Sequence, residues 1–194
     1  MARERVIVIS GPSGAGKTTL LKKLFSKRFI RNNFLLAVSC TTRVKRKGER
    51  EGHDYFFISQ KEFRKLIKKK YFLEYQKVLN AYYGTPKYFL QKAKEQHKDL
   101  ILCIDVKGGM YLKRKLKKGK VVTVFITAPT EEELSRRLRK RGDSAIVKKR
   151  ISLAKKELQF AKVYDYLIIN QNLKDAVKLL EAVLIAERLR RRSP

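Results

Sequence analysis

Eight consecutive residues, Gly11, Pro12, Ser13, Gly14, Ala15, Gly16, Lys17 and Thr18, follow the spacing G-x-x-x-x-G-K-[ST]. Glycines at these positions let the main chain curl, so that successive N–H groups and the start of the next helix face phosphate oxygens. Lys17 adds a point charge. The Thr18 hydroxyl can join the coordination of Mg²⁺ carried by those phosphates. At ordinary glycine usage the four fixed positions arise by chance in a chain of this length about once in a hundred. A strand before the loop and a helix after it lower that figure, and both are legible here. An incidental glycine turn is the bland alternative. The loop points to nucleotide phosphate chemistry and leaves the acceptor open.

A second constellation begins at Thr41. Thr41, Thr42, Arg43, Arg46, Glu49, Gly52, Tyr55 and Phe57 place two arginines three residues apart beside hydroxyls and a tyrosine. Guanidinium forks match phosphate oxygens, so such a pair can clamp a dianionic phosphate. On charge alone a solvated basic turn is the better explanation, because Lys and Arg occur throughout the chain.

This pattern resembles, position by position, the signature of guanylate kinases. The similarity continues through Phe72-Leu73-Glu74, Tyr82-Tyr83-Gly84-Thr85, the segment IDVKG from Ile104, and FITAPTEEELSRRLRKRG from Phe125, and covers essentially the whole chain. The resemblance implies transfer of the γ-phosphoryl group of ATP to GMP, and to dGMP, with Mg²⁺ accompanying ATP. It implies that Arg43, Arg46, Tyr55 and Tyr83 hold the GMP phosphate while Ser39, Glu74 and Thr85 read the guanine. A carboxylate can accept from both N1–H and the exocyclic amine of guanine, two donors that adenine does not present together. By the same resemblance Asp105 serves Mg²⁺ through water, Arg137, Arg141 and Arg150 cover the phosphates as catalytic charges with Lys17, and Asn170 joins Gly11 to Thr18 on the ATP side. A strand-end aspartate that only caps the next helix is the competing reading of Asp105. Three positions depart from the family: Cys103 where another acid is usual, Lys107 for glutamine, and Gln171 for aspartate. The cover is also about two residues short between Gly142 and Arg150.

These side chains need a scaffold. Apolar, β-branched runs at Arg5 to Ser10, Leu35 to Ser39, Leu100 to Ile104, Val121 to Ile126 and Tyr166 to Ile169 read as strands, most of them separated by helical patterns. Strands alternating with helices predict the α/β class, a doubly wound parallel sheet of P-loop NTPase type. Between Thr41 and Thr85, aromatic stretches at Tyr55 to Ile58 and Tyr71 to Val78 flank a helical KEFRKLIKK, which predicts an inserted, mostly antiparallel unit. Thr130 to Lys156 is basic and helical, with Glu131, Glu132 and Glu133 in a first turn where the helix dipole favours acids. The expected division is a core of 1–38, 86–129 and 158–194, a GMP-binding unit of 39–85 and a lid of 130–157.

In 194 residues, 48 Lys and Arg against 18 Asp and Glu leave a net charge of +30. That excess predicts attraction to polyanions, nucleic acid included, and does not bear on fold. Competing readings are a scaffold module without activity, a kinase for another acceptor, and an RNA-binding protein. The retained Lys17 and Thr18 oppose the first, and Glu74 with Thr85 the second. Cys40 and Cys103 lack metal spacing and are expected as buried free thiols. The apolar run Val6 to Ile9 is too short for a signal-peptide core or a spanning helix, so a cytoplasmic protein, monomer or homodimer, without a membrane role is expected.

Overall fold

A computed structural model describes residues 5–116, 119–140 and 144–190. In chain order the elements are β1 (Val6–Ser10), α1 (Lys17–Leu24), α2 (Arg28–Asn33), β2 (Phe34–Leu36), β3 (Cys40–Thr41), β4 (Phe56–Phe57), α3 (Gln60–Lys68), β5 (Phe72–Val78) and β6 (Ala81–Pro86). There follow α4 (Tyr88–Glu95), β7 (Asp99–Cys103), α5 (Val106–Lys115), β8 (Val121–Thr127), α6 (Glu131–Arg139), α7 (Ser144–Leu158), β9 (Tyr166–Ile169) and α8 (Leu173–Leu189).

Five strands form a parallel sheet in the order β2-β7-β1-β8-β9. Alternation along β1 sends side chains to two different cores. Ile7 and Ile9 pack with Leu20, Leu24, Leu180 and Leu184 of α1 and α8. Val6 and Val8 pack on the other face with Phe89 and Ala93 of α4 and Leu112 of α5. Covering both faces is why these strands read as unbroken apolar runs. From β1 the chain runs to β2 on one side of the sheet, whereas from its neighbour β8 it runs to β9 on the other, so the crevice at their carboxyl ends is a topological switch point, where α/β sheets bind ligands.

The second sheet has the order β4-β3-β6-β5, antiparallel except for the β3–β4 pair. The expected inserted unit is therefore mostly antiparallel. Its own small core stacks Phe63 of α3 against Phe72 at 4.5 Å and Tyr82 at 5.3 Å between ring centres. Capping sets the helix starts. Ser59 accepts from the Glu62 N–H at 3.1 Å and Thr130 from the Glu133 N–H at 3.1 Å, both in the S/T-x-x-E pattern.

Three local expectations change. The strand anticipated over Leu35 to Ser39 ends at Leu36, because after the Ala37 N–H reaches Ile101 O at 2.9 Å the chain crosses to the second sheet, where Ser39 O accepts from Phe56 N. Helices α2 and α4 appear where no helix was assigned. Cys40 is a buried free thiol as expected, but Cys103 is only half-buried at the end of β7. No helix of the described residues is long and apolar enough to cross a membrane.

Candidate active site

The phosphate loop follows the sequence pattern in detail. Gly11 has φ +137°, and a Cβ there would lie 1.9 Å from Ile126 O of β8. Only glycine fits so close to the neighbouring strand. Gly16 caps α1 in the left-handed region, without a side-chain cap, leaving the first N–H groups of the helix turned to the crevice. Lys17 arches back over the loop: its Nζ donates to Gly11 O, and to Pro12 O at 2.9 Å. Thr18 is exposed in the first turn of α1.

The loop is buttressed from behind. Asn170, at the end of β9, is buried, and its Nδ2 donates to Ala15 O at 2.8 Å. A Cβ on Gly16 would come within 2.4 Å of that nitrogen. Arg137 of α6 donates to Asn170 O at 3.1 Å and is held by Glu133 at 2.7 Å. Leu134 and Leu138 lie against Gly14. The helical segment is thus seated on the loop, with Arg137 beside it. Arg141, expected among the cover arginines, lies outside the described residues.

Ser39, Thr85 and Glu74 form one hydrogen-bonded chain. The Thr85 hydroxyl donates to Glu74 Oε1 at 2.8 Å and lies 3.1 Å from Ser39 Oγ. All three are buried, Glu74 at 4% exposure. Burial pushes the Glu74 carboxyl up to about 7; the Thr85 hydrogen bond opposes this and Asp105 adds to it. β5 and β6 pair at this point, Glu74 opposite Thr85, beside a register shift between Phe72 and Glu74 that re-aims the carboxylate. Its Oε2 lies against Gly108 of α5, where a Cβ would stand 2.7 Å away.

Arg43 is gripped by Glu49 through two parallel contacts, NH1 to Oε2 at 3.0 Å and NH2 to Oε1 at 2.7 Å. Glu49 also accepts from the Arg46 N–H at 2.8 Å. The Arg43 guanidinium lies over Tyr55 at 5.5 Å and Phe57 at 5.8 Å, and Tyr55 meets Tyr83 edge to face at 5.9 Å. Partial burial pulls the Arg43 pKa down, but Glu49 and Tyr83 outweigh it and the net shift is upward. Arg46 shifts downward through partial burial and then the nearby positive charges of Arg43 and Arg150. Three arginines, one of them from α7, therefore crowd one region. Each would gain from a shared anion.

Asp105 N-caps α5: its Oδ1 accepts from the Gly108 N–H at 2.6 Å. It is also pushed above the ordinary carboxylate range by burial, with Lys107 and Lys17 pulling the other way. Asp105 thus caps the helix, and the same side chain lies in the field of the phosphate-loop lysine. Among the described residues no group of three or more His, Cys, Asp or Glu could hold a metal ion unaided. A divalent ion here would have to arrive with phosphate oxygens, which suits an exposed Thr18 hydroxyl and a single carboxylate.

Three residues of the site escaped the sequence reading of roles. Glu49 was visible in the spacing but not as the clamp on Arg43. Glu133 was read as a dipole acid, and it also orients Arg137. Glu157, in the last turn of α7, is half-buried and pushed up to about 7 by burial; Lys17 and Lys107 pull it down, and Asp105 pushes it up. Nothing in a sequence-local pattern marks a carboxylate that meets its lysine 140 residues away.

The chain is similar to known proteins over nearly its whole length. The family model described as guanylate kinase matches residues 3–187. A guanylate kinase of Caldanaerobacter subterraneus subsp. tengcongensis is 43% identical over 95% of this chain and 88% of its own length, and one of Campylobacter jejuni is 43% identical over 95% and 90%. The crystal structure of guanylate kinase from Anaplasma phagocytophilum superposes with a TM-score of 0.81 at 29% identity, covering 98% of this chain and 89% of that one. The chain belongs to the guanylate kinase family.

Proposed function

We propose that this protein catalyses transfer of the γ-phosphoryl group of ATP to GMP, and to dGMP, giving ADP and the diphosphate. The observation that carries the reading is the buried Ser39–Thr85–Glu74 chain opening beside the Arg43–Arg46 pair. A buried carboxylate backed by hydroxyls is matched to the paired donors of guanine, and a ligand lacking them would leave it desolvated and unanswered.

In this reading the backbone of Gly11, Pro12, Ser13, Gly14, Ala15 and Gly16, with Lys17 and Thr18, receives the ATP phosphates, and Asn170 stands behind them. Arg43, Arg46, Tyr55 and Tyr83 take the GMP phosphate; Ser39, Glu74 and Thr85 take the base. Residues 1–38, 86–129 and 158–194 act as the core, 39–85 as the acceptor unit and 130–157 as a cover. Mg²⁺, held with ATP by Thr18 and through water by Asp105, would absorb charge on the phosphate oxygens. A GMP phosphate oxygen forms the new bond to the γ-phosphorus, and the electron pair of the broken bond leaves on the β-phosphate of ADP. The attacking oxygen is already anionic, so no general base is needed. Positioning and charge stabilisation by Lys17, Arg137, Arg141 and Arg150 carry the rate.

A coupled assay of ADP formation tests this. GMP should support turnover far better than AMP, CMP or UMP, and Lys17→Ala should remove most of it in single-turnover measurements. Equal rates across the four monophosphates would refute guanine selection.

A further inference from the structure

The excess of positive charge is not confined to the nucleotide crevice. From Gln60 to Lys98 the chain carries eleven Lys and Arg against three acids, and one of those acids, Glu74, is buried in the proposed base site. On the outer side of this region, where α3 turns into β5 and α4 begins, Tyr71, Tyr75 and Tyr88 are 37%, 45% and 41% exposed. They are neighbours. The Lys87 N–H donates to Tyr71 O at 3.0 Å, placing Tyr88 next to Tyr71, and the Phe72 ring lies between Tyr71 at 5.4 Å and Tyr75 at 6.4 Å. Tyr88 is backed by Phe89 at 4.3 Å. Rings mounted on a buried aromatic layer are held as platforms and are not free to fold away.

The tyrosines are interleaved with exposed lysines. Lys69 and Lys70 form the turn before Tyr71, Lys70 with φ +52°, and Lys87 immediately precedes Tyr88. None of these three lysines takes part in an ion pair among the described residues. A second copy of the chain is a poor occupant, because two faces of the same strong positive sign repel. Aromatic faces that accept any base, ringed by unpaired ammonium groups that accept phosphates, are the combination that single-stranded nucleic acid requires.

We propose that the surface bearing Tyr71, Tyr75 and Tyr88 with Lys69, Lys70 and Lys87 binds single-stranded nucleic acid through base stacking and phosphate contacts, independently of the nucleotide crevice. The probe is a fluorescein-labelled oligo-uridylate of about 12 nucleotides, a length within reach of one such site, titrated by anisotropy with the full chain across salt. The Tyr71→Ala/Tyr88→Ala double variant should weaken binding about tenfold or more while leaving the salt slope unchanged, since the lost rings stack on bases and neutralise no phosphate. Lys69→Ala/Lys70→Ala should flatten the slope by about 0.7 for each phosphate that is no longer neutralised. Both variants should keep wild-type ADP formation with GMP, and saturating GMP with ATP should not displace the oligomer. The proposal is overturned if the double tyrosine variant binds like the wild type, if nucleotides displace the RNA, or if only anionic vesicles and not the oligomer bind in a tyrosine-dependent way. It is also overturned if the patch buries itself in a dimer that the tyrosine variant dissociates. None of these outcomes depends on the kinase reading, which the monophosphate panel decides separately.

Discussion

Asn170 Nδ2 donates to Ala15 O across 2.8 Å, tying the last strand of the sheet to the middle of the phosphate loop. The amide is buried, and the group it satisfies is a main-chain carbonyl of the loop itself.

Replacing Asn170 with alanine should therefore act through loop shape. An unsatisfied buried carbonyl costs about 1–3 kcal/mol, visible as a lower urea midpoint. The loop, freed at Ala15, should bind ATP more weakly, so KM for ATP should rise while KM for GMP holds. A change in KM for GMP alone would contradict the assignment of Asn170 to the loop.

Glu49 grips Arg43 by both oxygens and the Arg46 main chain as well. Glu49→Ala leaves Arg43 and Arg46 present but unoriented. The pair is partly exposed and screened by solvent, so the loss of stability should be small, about 1 kcal/mol or less. Orientation is the larger matter. KM for GMP should rise roughly tenfold, as for loss of one charge-assisted hydrogen bond, with KM for ATP unmoved. Steady-state kinetics with each substrate varied in turn separates the two.

Much of this was legible in the residues. The phosphate loop is local: spacing, a preceding strand and a following helix all lie within about twenty positions, so its physics is written where it acts. The parallel sheet was equally visible, because strands buried on both faces spell continuous apolar runs. Glu74 and Thr85 could be placed in a shared role only through likeness to a family, since their hydrogen bond depends on how β5 and β6 register beside a bulge. Lys17 and Glu157, or Arg46 and Arg150, meet only once the sheet has folded. Helix α2 was missed because it is six residues long with one buried side chain, Ile30, too short to show a period.

Far from the crevice, Arg5 and Glu187 form a buried pair at 2.5 Å, and Glu187 also accepts from the Tyr166 hydroxyl at 2.6 Å. Arg5 precedes β1, whose other end enters the phosphate loop about 17 Å away at ~3.3 Å per residue. Glu187→Ala would strand a buried guanidinium and should cost about 3–5 kcal/mol of stability. Because the pair sits at the amino-terminal end of β1, opposite the end that enters the phosphate loop, kcat and both KM values at low temperature should stay near wild type. Urea unfolding followed by circular dichroism measures the first, and a coupled assay well below the unfolding midpoint the second. A kinetic defect without a stability loss would mean that the pair reaches the site in a way this fold does not show.

Glu74 sets stability against recognition, and pH exposes the conflict. Its carboxyl is pushed up to about 7 in the folded protein, first by burial, and stands near 4.5 in an unfolded chain. The protonated form is thus favoured by folding. That contribution is fully present below about pH 4.5 and lost as pH rises through 7, and the difference corresponds to about 3 kcal/mol at most. Glu74→Gln stays neutral and can keep the Thr85 hydrogen bond, so it should be more stable than wild type at pH 8 and equal to it near pH 4. Recognition runs the other way. The ionised carboxylate is the form that accepts both guanine donors, so wild-type kcat/KM for GMP should climb as pH rises through about 7. In the variant that limb should vanish, leaving only the titration of the GMP phosphate near pH 6, with KM for GMP greatly raised and KM for ATP unchanged. Thermal melts and pH–rate profiles of both proteins decide it: a variant less stable at pH 8, or one that retains the limb near 7, would show that Glu74 is not the group that reads the base.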